Sequence, residues 1–158
     1  MCWELRKGKL QSRPSVKLGA NDMSTDFSFQ EGDGFRWERH ISADDVQRFA
    51  EIVGDLNPIH LDAEFAAKSF FKKRIVHGAF ITGLISKVLG MDFPGQGTVY
   101  ISQNSVFKRP VYVDTTVSVE VKVTQVIAEK RRLVLDTNIL NSNGEVCLAG
   151  SATVWLPE

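Results

Sequence analysis

Two hydrophobic rhythms divide the chain. In residues 117–123, Val117, Val119, Val121 and Val123 alternate with Ser118, Glu120 and Lys122, the period of two expected of a strand with one buried face. Leu133, Leu135, Thr137 and Ile139 repeat it, and Val146, Leu148, Ala152, Val154 and Leu156 carry it through a last strand. Asn141-Ser142-Asn143-Gly144 between them is a turn signal. Val99, Ile101 and Gln103 predict an earlier strand that stops before Pro110.

The first half is mainly helical in rhythm. Residues 35–41 alternate as a strand, and Ser42 with Asp45 three positions on forms a capping-box pattern. Val46, Phe49, Ala50 and Val53 then recur at i, i+3, i+4 and i+7, one apolar helical face that Gly54 ends. A loop follows over 55–60, and Asp62 is placed to cap a short helix holding Phe65, Ala66 and Ala67. Residues 78–90 carry one charge, Lys87. A helix apolar nearly all round is one enclosed in a core. Its thirteen residues span about 20 Å, too short for a bilayer. Grouped helices followed by grouped strands predict an α+β domain, an antiparallel sheet wrapped around that buried helix.

Composition bounds the reading. With 158 residues, 43% hydrophobic and 24% charged, the chain has the length and make-up of one globular domain. It has 19 basic and 19 acidic residues, without the basic excess of a nucleic-acid binder. That neutrality is a sum of unlike parts. Residues 1–20 hold five basic groups against Glu4 alone, which leaves 14 basic and 18 acidic residues in the remainder. Residues 1–30 are therefore set apart as a basic head, and 31–158 form the expected domain. The head reads as a disordered or over-called start, with Met23 as the alternative initiator, or as an organelle transit segment. The first reading places the protein in the cytoplasm, the second in the mitochondrion. Cys2 and Cys147 form no Cys-x-x-Cys pair, so neither a disulfide framework nor a metal site is expected.

The candidate chemistry clusters in the loop and at the start of the buried helix. There are three histidines. His40 reads as an exposed or hydrogen-bonded strand residue, and His77, at the entrance of the buried helix, as either a functional residue or a satisfied buried histidine. His60 lies five positions after Asp55, with Asn57 and Pro58 between them. Proline fixes its own φ and holds the preceding residue extended, and asparagine can bond the local backbone. The loop either presents a carboxylate and an imidazole to one shared water or is only a helix cap followed by a turn. Gly78 can bring a helix-terminal N–H close to a ligand oxygen, an arrangement that stabilises developing negative charge. Ser86, two turns on, lies along the same helix or bonds back to the preceding turn. Phe70, Phe71, Phe80, Ile81 and Leu84 are core residues or the wall of an apolar pocket. Lys72, Lys73 and Arg74, and Lys108 with Arg109, are solvated charge or contacts for phosphate groups.

Val53-Gly-Asp-Leu-Asn-Pro-Ile-His-Leu-Asp62 followed by Arg74-Ile-Val-His-Gly78 resembles the MaoC-like hot-dog proteins, and among them the R-specific enoyl-CoA hydratases. The likeness continues through residues 94–97 and 107–111 and covers roughly 33–157. Val53 departs from it, standing where many relatives carry Ser or Thr. The resemblance implies a single hot-dog domain and reversible syn hydration of trans-2-enoyl thioesters to (R)-3-hydroxyacyl thioesters. By the same likeness Asp55 and His60 hold the reacting water, the Gly78 N–H polarises the thioester carbonyl, Asn57 braces the loop, and Ser86 lies near the pair. It implies no metal or redox cofactor. The expected substrates are acyl-CoA or acyl-carrier-protein thioesters, and the expected assembly is a homodimer. Pathways as different as polyhydroxyalkanoate supply, fatty-acid synthesis and β-oxidation fit that chemistry. A thioesterase, or a non-catalytic acyl-binding module on the same fold, is the competing expectation.

Overall fold

The structure, a computed structural model, describes residues 28–157; the readings made of the basic head concern residues outside that range, apart from its last three. In chain order it holds β1 (Gly34–Ile41), α1 (Ala43–Val53), α2 (Pro58–Leu61), α3 (Ala63–Lys68), α4 (Gly78–Lys87), β2 (Val99–Phe107), β3 (Thr115–Ile127), β4 (Arg132–Asn141) and β5 (Val146–Trp155). The strands form one antiparallel sheet in the order β1-β3-β4-β5-β2. The expected α+β architecture, a sheet curled around a helix, is the one observed.

Local signals act as read. The Ser42 hydroxyl accepts from the Asp45 N–H and the Asp45 carboxylate accepts from the Ser42 N–H, closing both halves of the capping box. Gly54 ends α1 in the left-handed region at φ 78°. The Asp62 carboxylate accepts from the N–H groups of Glu64 and Phe65 and starts α3.

The alternating positions of β3, β4 and β5 turn mostly to one side. Val117, Val119, Val121 and Val123 of β3, Leu133, Leu135, Thr137 and Ile139 of β4, and Leu148, Ala152 and Val154 of β5 are buried. Against them lie Ile81, Leu84 and Ile85 of α4, and then Val88 and Leu89 of a π-helical turn (Val88–Asp92). Here the sequence expectation needs correcting. The apolar run is not one helix enclosed all round: α4 ends at Lys87, and Ala79, Gly83 and Ser86 along one side of it are exposed. A run of small and apolar residues shows no polar face, although only one stripe of it meets the sheet.

β2 also departs from its pattern. A register shift between Tyr100 and Ser102 interrupts its pairing with β5, so Val99 and Ile101 face outward while Tyr100, Gln103 and Ser105 are partly buried. The Gln103 amide donates to Ser105 and to fully buried Thr137, and the Tyr100 hydroxyl donates to the Gln103 carbonyl oxygen. These bonds satisfy a hydroxyl in the middle of the core.

Gly150 of β5 lies beneath this network. A Cβ there would stand 2.2 Å from the Asn104 carbonyl oxygen and 2.7 Å from the Gln103 amide nitrogen. Backbone cannot yield as a side chain does, so Gly150→Ala is expected to destabilise the fold by about 2 kcal/mol or more. Urea unfolding beside the parent chain measures this.

Candidate active site

The segment between α1 and α3 is locked from both ends. Asn57 sits at φ −55°, ψ 125°, extended as a residue before proline must be. Its side-chain oxygen accepts from the Ile59 N–H at 3.2 Å, and its own N–H donates to Asp55 Oδ1 at 3.3 Å. Pro58 opens α2 at the first helical position, where its missing N–H has no consequence. α2 then docks on residue 75: Ile75 donates its N–H to the Ile59 carbonyl at 3.3 Å and accepts from His60 Nδ1 at 2.7 Å. A carbonyl only accepts, so the His60 proton is on Nδ1 and Nε2 is left with a lone pair when the ring is neutral.

Asp55, His60 and His77 meet here. One ligating atom of each lies within 4.8 Å of the other two. His60 and His77 are buried, whereas the Asp55 side chain is 52% exposed. Burial, reinforced by the neighbouring His77, holds His60 below its ordinary value of 6.5, outweighing the opposing pull of the Ile75 carbonyl and Asp55. This donor set could in principle take a metal ion. His77 could join through Nε2 only by giving up the bond, 3.0 Å long, that this nitrogen donates to the Asp55 backbone carbonyl.

α4 begins at this cluster. His77 is its N-cap, and among the described residues no side chain caps its first N–H groups, where an incoming oxygen could bind. Gly78 is the first helical residue. A Cβ on it would lie 2.8 Å from Cζ of Phe107, so the β2 ring covers that side of the helix end.

The other candidates are placed as follows. Ser86 lies eight residues beyond Gly78, about 12 Å along the helix. Its side chain is exposed on α4. Lys72 and Lys73 are exposed, and with Arg74, Ala63, Val113 and Asp114 they line a cavity of about 230 Å³ just before Ile75. Arg74 donates weakly to the Leu61 carbonyl, and Arg109 is held by Glu145 and the Val146 carbonyl. Lys108 is exposed directly after Phe107. Phe80 and Leu84 line a groove of about 460 Å³ with Trp37, Phe49 and Ile52, whereas Ile81 is core and Phe70 is 91% exposed. His40, as expected, is an exposed strand residue.

His77 exceeds its sequence reading. It is buried, as expected, but Nδ1 has no partner among the described residues, and its ring stacks on His60 with centroids 3.7 Å apart. Its position beside Gly78, as one of three histidines in the chain, was the available signal. Nothing in the sequence announced Phe107 or the Ile75 carbonyl, which reach the site through sheet closure.

A single antiparallel sheet curled around one helix defines a hot-dog domain, and here a carboxylate and an imidazole meet beside that helix's N-cap. Residues 27–143 match the MaoC like domain, and the chain belongs to the MaoC-like family. It is 47% identical over 121 residues to a 3-hydroxybutyryl-CoA dehydratase of Methylorubrum extorquens, covering 77% of this chain and 76% of that one. It is 38% identical over 130 residues to an (R)-specific enoyl-CoA hydratase of Aeromonas caviae, covering 82% and 97%. The solved (R)-hydratase from A. caviae involved in PHA biosynthesis superposes with a TM-score of 0.80 at 38% identity, over 82% of this chain and 98% of that one.

Two outcomes follow from this geometry. Gly78→Ala should lower kcat/KM for the family's reaction by about 10-fold or more by disturbing the helix-terminal donor. Adding Phe107→Ala should restore part of the loss, a coupling expected only of residues in contact; a double-mutant cycle measures it. Separately, the unfolded chain binds a proton at His60 more readily than the folded one. Stability is therefore fully present above pH 6.5 and declines as pH falls from 6.5 toward the lower folded value. Urea unfolding across that interval should show a steeper decline for the parent chain than for His60→Gln.

Proposed function

We propose that this chain catalyses reversible syn hydration of trans-2-enoyl-CoA thioesters to (R)-3-hydroxyacyl-CoA, with Asp55 and His60 handling the water and the Gly78 N–H polarising the carbonyl. The observation that carries the proposal is the meeting of the Asp55 carboxylate and the His60 imidazole with His77, the N-cap of α4. Hydration β to a thioester needs three things: a base for water, a proton for C2, and stabilisation of the enolate oxygen formed between those events. In the proposed cycle the pair takes a proton from water as its oxygen bonds C3. Electrons move from the C2–C3 double bond into the thioester carbonyl, whose oxygen the helix terminus holds. The pair then returns a proton to C2, and the enolate collapses to the hydroxyacyl thioester. Every step draws on a protein group, so the reading calls for no metal or redox cofactor. Asn57 keeps the pair in register by fixing the loop.

Coenzyme A, rather than a carrier protein, is the proposed thioester handle, because the bacterial relatives named above are a CoA dehydratase and a CoA hydratase. Lys72, Lys73 and Lys108 supply positive charge at the rim. Arg74 and Arg109 are tied to protein groups and contribute less. We also propose a homodimer joined through β2. That strand ends the sheet with one edge unpaired and carries Val99, Ile101, Val106 and Phe107 half-exposed. Among the described residues no helix is long and apolar enough to cross a membrane.

Crotonyl-CoA tests the proposal. The enoyl absorbance should fall with no release of free thiol, and chiral analysis should return the (R)-3-hydroxy product. Release of free CoA would instead mark a thioesterase, and inert substrate a binding module. Asp55→Asn and His60→Gln should each lower kcat by about 100-fold or more, the size of a lost acid–base contribution, with unchanged circular dichroism.

A further inference from the structure

His77 is held by the two catalytic groups of the proposed site and by little else that is polar. It is 2% exposed, and its Nε2 donates to the Asp55 backbone carbonyl at 3.0 Å. One ring face lies on His60, 3.7 Å between centroids and 28° from parallel. Phe49 of α1 stands 5.2 Å from the same ring and itself stacks on Phe80 of α4. Aromatic contacts therefore run from α4 and α1 through His77 to His60, whose far end is fixed by the Ile75 carbonyl. Among the described residues Nδ1 of His77 is buried without a partner. An interior nitrogen left unpaired is costly, and phenylalanine would fill the same space without it. Glutamine would keep a donor but lose the stack. Imidazole alone supplies both contacts, and it does so next to Gly78.

We propose that His77 is a positioning residue for the hydration, a single rigid side chain that sets the Asp55 backbone and the His60 ring plane relative to the helix terminus. The proposal rests on the Asp55/His60 reading above. His77 touches no reacting atom in this scheme. Its effect is on the alignment of the two groups that do, where a displacement of about 1 Å can cost about 100-fold.

The test uses His77→Phe and His77→Gln in the full chain, assayed on crotonyl-CoA beside Asp55→Asn and His60→Gln. His77→Phe keeps the stack and loses the donor; its kcat should fall about 100-fold while KM changes by less than about 3-fold. His77→Gln keeps a donor for the Asp55 carbonyl and should recover about one-tenth of parental kcat. Turnover near the parental value in both variants, or a loss confined to KM, would overturn the positioning role. Parental turnover in the Asp55 and His60 variants would overturn the catalytic pair itself; collapse of those two beside active His77 variants overturns only the role of His77. Imidazole 15N spectra of the unaltered protein decide the matter even if both variants fail to fold. A single His77 tautomer protonated on Nε2 is expected, and a tautomer-averaged, mobile ring would refute the proposal.

Discussion

Burial of one stripe of α4 against the concave face of the sheet is the constraint on which everything else hangs. Ile81, Leu84, Ile85, Val88 and Leu89 meet the inward side chains of β3, β4 and β5, and removing apolar surface from water is the main favourable term in folding. Once that stripe is fixed, so is the helix axis, and with it the point in space where the first unpaired N–H groups emerge. The rim elements then assemble around that point.

The site is built from segments that barely share secondary structure. Asp55 comes from a loop, His60 from a single helical turn, His77 from a helix cap, Phe107 from the end of an edge strand. What unites them is a few backbone contacts around residue 75, which pair outward with residue 112 and inward with α2. A short turn such as α2 has little stability of its own. Its docking on Ile75, rather than its helical bonds, makes the His60 ring a fixed object. The pairing also explains why the electrostatics are asymmetric, with a buried imidazole next to a half-exposed carboxylate.

Much of this was legible beforehand because the relevant signals are local. The alternation in β3 and β4, the capping box at Ser42 and the glycine stop at Gly54 depend on residues within a few positions of one another. So does the Asn57-Pro58 brace, which by itself places Asp55 and His60 on one turn. The sheet-around-helix class followed from the contrast between an uncharged helical run and half-polar strands.

The sequence alone determined that these elements form and that a carboxylate and an imidazole lie close together along one short braced segment, although the expected loop over 55–60 proved to end in the helical turn Pro58–Leu61, since propensity, capping and periodicity act along the chain. Only the tertiary structure decided which side of α4 is buried, because an apolar run carries no mark of the face that will meet the sheet. It alone placed Ser86 on the exposed side of that helix. It likewise turned His77 from a plain interior residue into a neighbour of both Asp55 and His60. Those outcomes depend on contacts between residues up to twenty or more positions apart, whose geometry exists only once the sheet has closed on the helix.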